Sequence, residues 1–255
     1  METNRELRLF VTLFVGGSAF LLVFIGVLFS FLDPELFREV YVQEDGFIEN
    51  LTFLALLGIS VLMFGRFLRL RNEKGKWFKL MLFLMGALAL FGAGEEISWG
   101  QRILSTESPE FFLKHNAQGE TNVHNMLVNE HKVNKIIFSK LLFIAVALYL
   151  LVFPLAYKRS AAFANVIDQL LGIPIPRAYQ IGAFVGILLM TNVVTEGKGA
   201  ELLEFGSCMV FLLIFLFPKN EAVYTSAKCQ AAIEQEKKAA YVARRYVFNS
   251  TVKGV

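Results

Sequence analysis

Carboxylates set inside apolar stretches are the first chemistry this chain offers. Glu49, Glu95, Glu96, Glu201 and Glu204 fall within or at the edges of long hydrophobic runs, and Trp99, Gln101 and Arg102 follow the Glu95, Glu96 pair closely. All three histidines, His115, His124 and His131, lie in one polar segment with Asn116, Gln118, Glu120, Asn122 and Asn125. Carboxylate plus imidazole suits a divalent metal, zinc or manganese. A site with three protein ligands keeps a position open for a water whose pKa drops towards neutrality. Hydrolysis is what such a water does. In this scheme His124, Glu96 and either Glu49 or Glu95 are the ligands and the unligated carboxylate is a general base. Arg102 clamps a phosphate or an oxyanion. Asp45, Trp99, Gln101, Asn116, Gln118, Glu120, Asn125, Glu201 and Glu204 are the candidate substrate contacts. The histidine spacing matches no HExxH or Cys/His zinc pattern. A purely structural network tying helices together through Arg102, Asn50 and Gln101 is therefore the competing reading of the acids, and His115 and His131 are expected as solvated loop residues.

The elements that must position these residues are membrane helices. Of 255 residues, 55% are hydrophobic and 18% charged, and the apolar ones gather in blocks such as residues 9–32, long enough to cross a hydrocarbon core. The short polar start and the length of this first block predict a retained span rather than a cleaved signal peptide. A window of about nineteen residues gives six spans, near 9–32, 46–67, 77–101, 133–157, 178–195 and 200–218. The predicted fold is all-α: a six-span transmembrane domain over residues 1–220 and a cytoplasmic helical tail over 221–255. Arg66, Arg69, Arg71, Lys74, Lys76 and Lys79 lie between spans two and three, and Lys158, Arg159 and Arg177 between four and five. The positive-inside rule turns those loops, and both termini, to the cytoplasm of a bacterial inner membrane. The tail, with Lys228, Lys237, Lys238, Arg244 and Arg245, fits that side. Residues 158–177, with Asp168 and the run Gly172, Pro174, Pro176, are expected to lie on the cytoplasmic surface. A net charge of +3 without a basic cluster beyond these excludes a nucleic-acid partner. Cys208 and Cys229 are too few and too separated for a disulfide framework.

Depth arithmetic selects the same acids. At about 1.5 Å per residue, Glu49 lies about 25 Å from Arg66, and Glu204 and Glu201 lie about 22 and 27 Å from Lys219. Counted from Lys79, Glu95 and Glu96 arrive before a core of about 30 Å has been crossed. Three spans thus place acids at one level below the outer surface, where a charge is costly unless paired, protonated, metal-bound or wetted. Helical phase groups Asp45, Glu49 and Thr52, then Glu95, Trp99 and Arg102, then Glu201, Glu204 and Cys208 on single faces. Those faces are expected to enclose a pocket open to the outside. The extracytoplasmic loop, about 103–132, is expected to be ordered. Ser108 would cap a short helix with Pro109 at its first position, the aromatics would dip into the membrane interface, and residues 122–134 would begin a helix with His124 and His131 on one face.

The strings Glu44-Asp45-Gly46 with Glu49, Gly94-Glu95-Glu96-Ile97-Ser98-Trp99-Gly100-Gln101-Arg102, and Asn116-Ala117-Gln118-Gly119-Glu120 with His124-Asn125 resemble a family of bacterial inner-membrane proteins without an assigned activity. Glu44-Asp45 with Glu49-Asn50 and Thr52 is similar, more loosely, to the acidic motif of the alkaline ceramidase superfamily of membrane hydrolases, which bind zinc through three histidines. That resemblance implies a lipid hydrolase; it transfers no zinc ligand, because every histidine here sits in one loop.

Three functions follow as expectations. The leading one is a membrane-embedded, metal-dependent hydrolase acting on a lipid or lipid-linked substrate at the extracytoplasmic side. The second is a cation or proton transporter, or its accessory subunit, using the same acids. The third is a noncatalytic membrane scaffold whose tail is a partner helix. The sequence fixes no oligomeric state.

Overall fold

A computed structural model describes residues 2–43, 46–101, 103–123, 126–128, 131–132, 141–195 and 197–227, with 231 and 235. The chain is built from helices: α1 (Glu2–Leu32), α2 (Pro34–Leu36) running into a wider turn at Phe37–Tyr41, α3 (Phe47–Leu70), α4 (Lys76–Glu96), α5 (Glu110–His115), α6 (Leu142–Ala147), α7 (Phe153–Arg159), α8 (Ala161–Asn165), α9 (Ala178–Thr191) and α10 (Gly199–Leu216). α6 and α7 form one rod through Leu148–Val152, and α8 continues through Val166–Leu171.

Among the described residues, five helical segments are long and apolar enough to cross a membrane: Arg5–Leu32, Phe47–Leu70, Lys76–Glu96, Leu142–Arg159 and Gly199–Leu216. The expected fifth span is shorter than its hydropathy suggested. α9 has 14 residues, about 21 Å of helix against a core of about 30 Å. It is short because the preceding chain cannot be helical: Pro174 and Pro176 lack amide donors and bar the helix from residues 173–176. The start of the expected fourth span, residues 133–140, lies outside the described residues.

α10 is the central helix. It packs on α1, α3 and α9, and its Phe211 and Phe215 touch two apolar cores. One contains Val23, Ile48, Phe184, Ile187, Leu202 and Phe205. The other contains Ile59, Met63, Leu70, Phe78, Leu82 and Tyr224. Close approach depends on a small residue at the crossing of α9 and α10, where a Cβ on Gly206 would stand 2.6 Å from Ile187.

At one end of the bundle, the end carrying Arg8 and Arg177, non-helical backbone is buried and tied down by side chains. The Tyr149 hydroxyl donates to Pro174 O at 2.6 Å and the Tyr224 hydroxyl to Gly172 O at 2.8 Å. Asn220 accepts from the Ile175 amide and donates to Ile173 O and to Asp168. Arg177 and Gln180 donate to the last carbonyls of α10 and its exit, Leu213, Phe217 and Pro218. Arg8 and Arg177 both pair with Glu221. Arg66, expected as a loop charge, is instead 6% exposed within α3, under the ring of Tyr224 at 4.0 Å. The tail accordingly begins as a docked turn, Glu221–Tyr224, and not as a solvated helix; its residues 228–255 lie, apart from 231 and 235, outside the described residues. Burial pushes the Tyr224 phenol well above its ordinary pKa.

Gly172 makes the corner between α8 and the buried strand-like segment at φ +57°, where a Cβ would stand 2.7 Å from the Phe78 ring. Gly172→Ala adds a left-handed alanine and an overpacked contact. It is expected to cost about 1–3 kcal/mol, read as a lowered melting midpoint in mild detergent.

Candidate functional site

At the opposite end, three helices deliver acids to one place. Glu49 lies in the first turn of α3, Glu96 is the last residue of α4, and Glu201 and Glu204 occupy the first two turns of α10. All four are half-buried. The carboxyls of Glu96 and Glu204 share a hydrogen bond, and Glu49 and Glu201 stand close enough for their charges to act on Glu96. A hydrogen bond between two carboxyl groups requires a proton on one of them. The helix dipoles favour negative charge at Glu49 and Glu201, in first turns, and oppose it at Glu96, at a C-terminal end. The Cys208 thiol lies one turn below Glu204, within reach of both acids' fields. The expected shared face of Glu201, Glu204 and Cys208 is present in α10, whereas Thr52 of α3 is buried and donates to Ile48 O.

Glu95 takes a different part. Its Oε1 accepts from the Trp99 indole at 2.8 Å and its Oε2 from the Val123 amide at 2.6 Å. Adjacent residues on a helix point about 100° apart. Glu96 therefore turns to α10, and Glu95 holds the loop.

The expected third span was drawn to residue 101, but α4 ends at Glu96. The chain then reverses hand: Ser98, Trp99 and Gly100 have φ of 45°, 55° and 75°. A bulky residue such as Trp99 at positive φ is strained, at about 1–3 kcal/mol, and the surroundings over-determine it. The indole bonds Glu95, the ring meets Phe91 edge-on at 5.7 Å, and it lies flat on Gly94, where a Cβ would be 2.8 Å away.

The turn's other product is Ser98, 2% exposed. Its hydroxyl donates to Glu120 Oε2 at 2.7 Å and accepts from Asn122 Nδ2 at 2.9 Å. Asn116 then stitches the loop to itself, donating to Asn122 O and Oδ1 and accepting from the amides of Gln118 and Glu120. Gln101 Oε1 accepts from the Thr121 amide at 2.9 Å, and Thr121 donates to Ser108. Asn116, Glu120 and Gln101, expected with Gln118 as substrate contacts, fasten the loop to itself and to the end of α4 through their side chains. Ser108, expected to cap α5, is engaged by Thr121, and the helix begins one residue later than expected, with Pro109 in the capping position and no side-chain cap.

Of the stretch 122–134, expected to begin a helix, the described residues 122, 123, 126–128 and 131–132 are not helical. Leu127–Val128 pairs antiparallel with His131–Lys132, and Asn116 bridges Met126. His131 lies in that extended pair, whereas His124, expected on a common helical face with it, lies outside the described residues. His115 is exposed at the end of α5 and stacked on Phe111. Asp45, Arg102, His124 and Asn125 lie outside the described residues.

Among the described residues, no group of three or more His, Cys, Asp or Glu could hold a metal ion. Near the acids, Lys198 reaches the carbonyls of Arg38 and Val42 and ties the start of α10 to the outer turn. Tyr41 in that turn donates to Leu22 O at 2.7 Å, and burial raises its phenol to about 12. The sequence reading missed Ser98 as a participant. Its only signal was its place between two acids and a glycine, since a reversal of backbone hand is not written in residue spacing. Comparison with protein-family models, curated proteins and solved structures returns no match.

Removing the Ser98 hydroxyl takes from the buried Glu120 a hydrogen bond of 2.7 Å. Ser98→Ala is expected to destabilise the loop by about 1.5–3 kcal/mol, as for a hydrogen bond to a charged group. Amide exchange over 103–123 should rise while the middle of α10 stays protected.

Proposed function

We propose that this protein is a six-span inner-membrane enzyme of hydrolase type, with both termini cytoplasmic, acting on a lipid or lipid-linked substrate at the extracytoplasmic end of the bundle. The observation that carries this reading is the hydrogen-bonded pair Glu96 and Glu204 with Glu49 and Glu201 beside it. A carboxyl that holds a proton next to a carboxylate that can receive one is the equipment of general acid and base catalysis. Glu96 would give its proton to a leaving oxygen and Glu204 would take one from water, at a depth where a lipid's ester or phosphoester linkage lies. Arg102 would meet the developing anion.

A divalent metal, zinc or manganese, would be held by Glu49, Glu96 and His124 in place of the Glu96 proton, and would supply a water of lowered pKa with Glu204 left as the base. The donor set at hand is rich in oxygen, which suits manganese better than zinc, and His124 would have to complete it. Such an ion competes with the proton of the Glu96, Glu204 pair, so its occupancy should fall as the pH falls.

The layer between the two polar ends supports a one-sided site. At mid-height the buried residues include Ala19, Ile59, Ala89, Phe184 and Val210, with Ser60 the polar exception among them. Proton-linked transport needs a polar path through that layer.

Lipids and lipid-linked phosphates offered to the purified protein in mild detergent provide the test. Glu96→Gln and Glu204→Gln keep the shape of the pair and remove its proton exchange, and each is expected to lower turnover by about 10²–10⁴-fold. Mass spectrometry of the same samples reads bound metal, expected in the wild type and lost in Glu96→Gln and His124→Ala. Hydrolysis undiminished in both glutamine variants would overturn the reading.

A further inference from the structure

The loop that closes over the acidic end carries an apolar surface of its own. Ile103 and Leu104 are 78% and 69% exposed, and Trp99, Phe111 and Leu113 are each at least half exposed. Adjacent isoleucine and leucine so bare are unusual on a surface that meets water, where an apolar patch marks an interaction site. Beneath it Ser98, Ser108, Asn116, Glu120 and Asn122 are buried, while Ser105, Thr106, Glu107, Glu110 and Lys114 are exposed alongside the apolar residues.

What covers this surface follows from what it adjoins. Leu88 and Phe91 of α4 are exposed on the bundle exterior, the surface such a helix turns to acyl chains. Trp99 meets Phe91 edge-on at 5.7 Å and so extends that exterior past the end of the helix. α4 is 21 residues long, about 31 Å, which brings its end to the edge of the hydrocarbon core. Leu104 follows within one turn, its amide bonded to Gly100 O at 2.9 Å. Tryptophan at that level belongs to the headgroup boundary. Further along, Lys114 pairs with Glu110 on α5, which leaves Phe111 and Leu113 as the apolar reach of that short helix between charges able to stay at the headgroups.

We infer that the segment from Trp99 to Leu113 is a monotopic rim that inserts Ile103, Leu104, Phe111 and Leu113 into the lipid leaflet at the acidic end. The occupant of this surface is the lipid itself. The rim holds the fastened loop at the membrane plane, so that material reaches Glu96 and Glu204 from the leaflet and not from bulk water. This inference does not depend on the acids being catalytic.

The test uses the full chain in vesicles of phosphatidylethanolamine and phosphatidylglycerol. A nitroxide is attached at Leu104→Cys or Phe111→Cys in a Cys208→Ala, Cys229→Ser background, with circular dichroism to confirm the helical fold. Collision with oxygen, which concentrates in lipid, is compared with collision with a water-soluble nickel chelate. Oxygen should dominate at both positions, and Glu107→Cys gives the aqueous reference. Nickel dominating at either position would overturn the inference. So would a label immobile and screened from both relaxers, which would mean that protein and not lipid covers the rim. Should Cys208→Ala fail to fold, Trp77→Phe leaves Trp99 as the only tryptophan, and its quenching by brominated acyl chains but not by aqueous iodide carries the same decision for the start of the rim.

Discussion

In hydrocarbon, every backbone amide, carbonyl and charge must find its partner inside the protein, because each orphaned group costs several kcal/mol. Continuous helix satisfies that demand in the middle of the bundle. The places where the chain leaves helical form, or carries charge near the membrane, are those where side chains have been recruited to satisfy it. Gly172 and the segment after it are the plainest case. Tyr149, from the α6–α7 rod, and Asn220 and Tyr224, from beyond α10, serve carbonyls and an amide that two prolines and a left-handed corner have stripped of helical partners, and Arg177 and Gln180 serve the last carbonyls of α10 beside them. The same need explains why the tail begins by docking: Tyr224 serves Gly172 and at the same time covers the buried Arg66. A cation over an aromatic face in a desolvated setting is worth about 2 kcal/mol.

The acidic end meets the demand differently. The chain spends the two glutamates of one dipeptide on separate tasks. Glu95 is consumed in structure, one oxygen on the strained indole of Trp99 and the other on the loop at Val123. Glu96 is left to the acids of α10 and α3. This division makes the loop and the acid cluster one unit. The turn that ends α4 at Glu96 also presents Ser98 to Glu120, so whatever loosens the loop also shifts the helix end on which Glu96 stands.

That unit sits on a bundle whose centre is α10, and α10 brings both apolar cores and both of its acids to the same axis. Close packing at Gly206 fixes its depth against α9, and Lys198 fixes its start against the outer turn. The positions of Glu201 and Glu204 are therefore set by apolar packing along the helix together with the tie that Lys198 makes at its start.

The sequence by itself determined that the protein is helical and built for a membrane, and which acids stand at one level. Those are consequences of apolar run length and of a rise of about 1.5 Å per residue, both of which are local and countable. It also placed Glu201, Glu204 and Cys208 on one face of α10, a matter of helical phase. Spacing could not separate Glu95 from Glu96, because the difference lies in what each meets across the bundle. Nor could it show that α4 stops at Glu96 with a reversed backbone, that Leu127–Val128 pairs with His131–Lys132, or that Asn116, Glu120 and Gln101 fasten the loop. Each depends on partners far along the chain that supply hydrogen bonds a continued helix would have made for itself. Tertiary structure alone decided those, since only the folded bundle brings Ser98 to Glu120, and Tyr224 to Arg66 and Gly172.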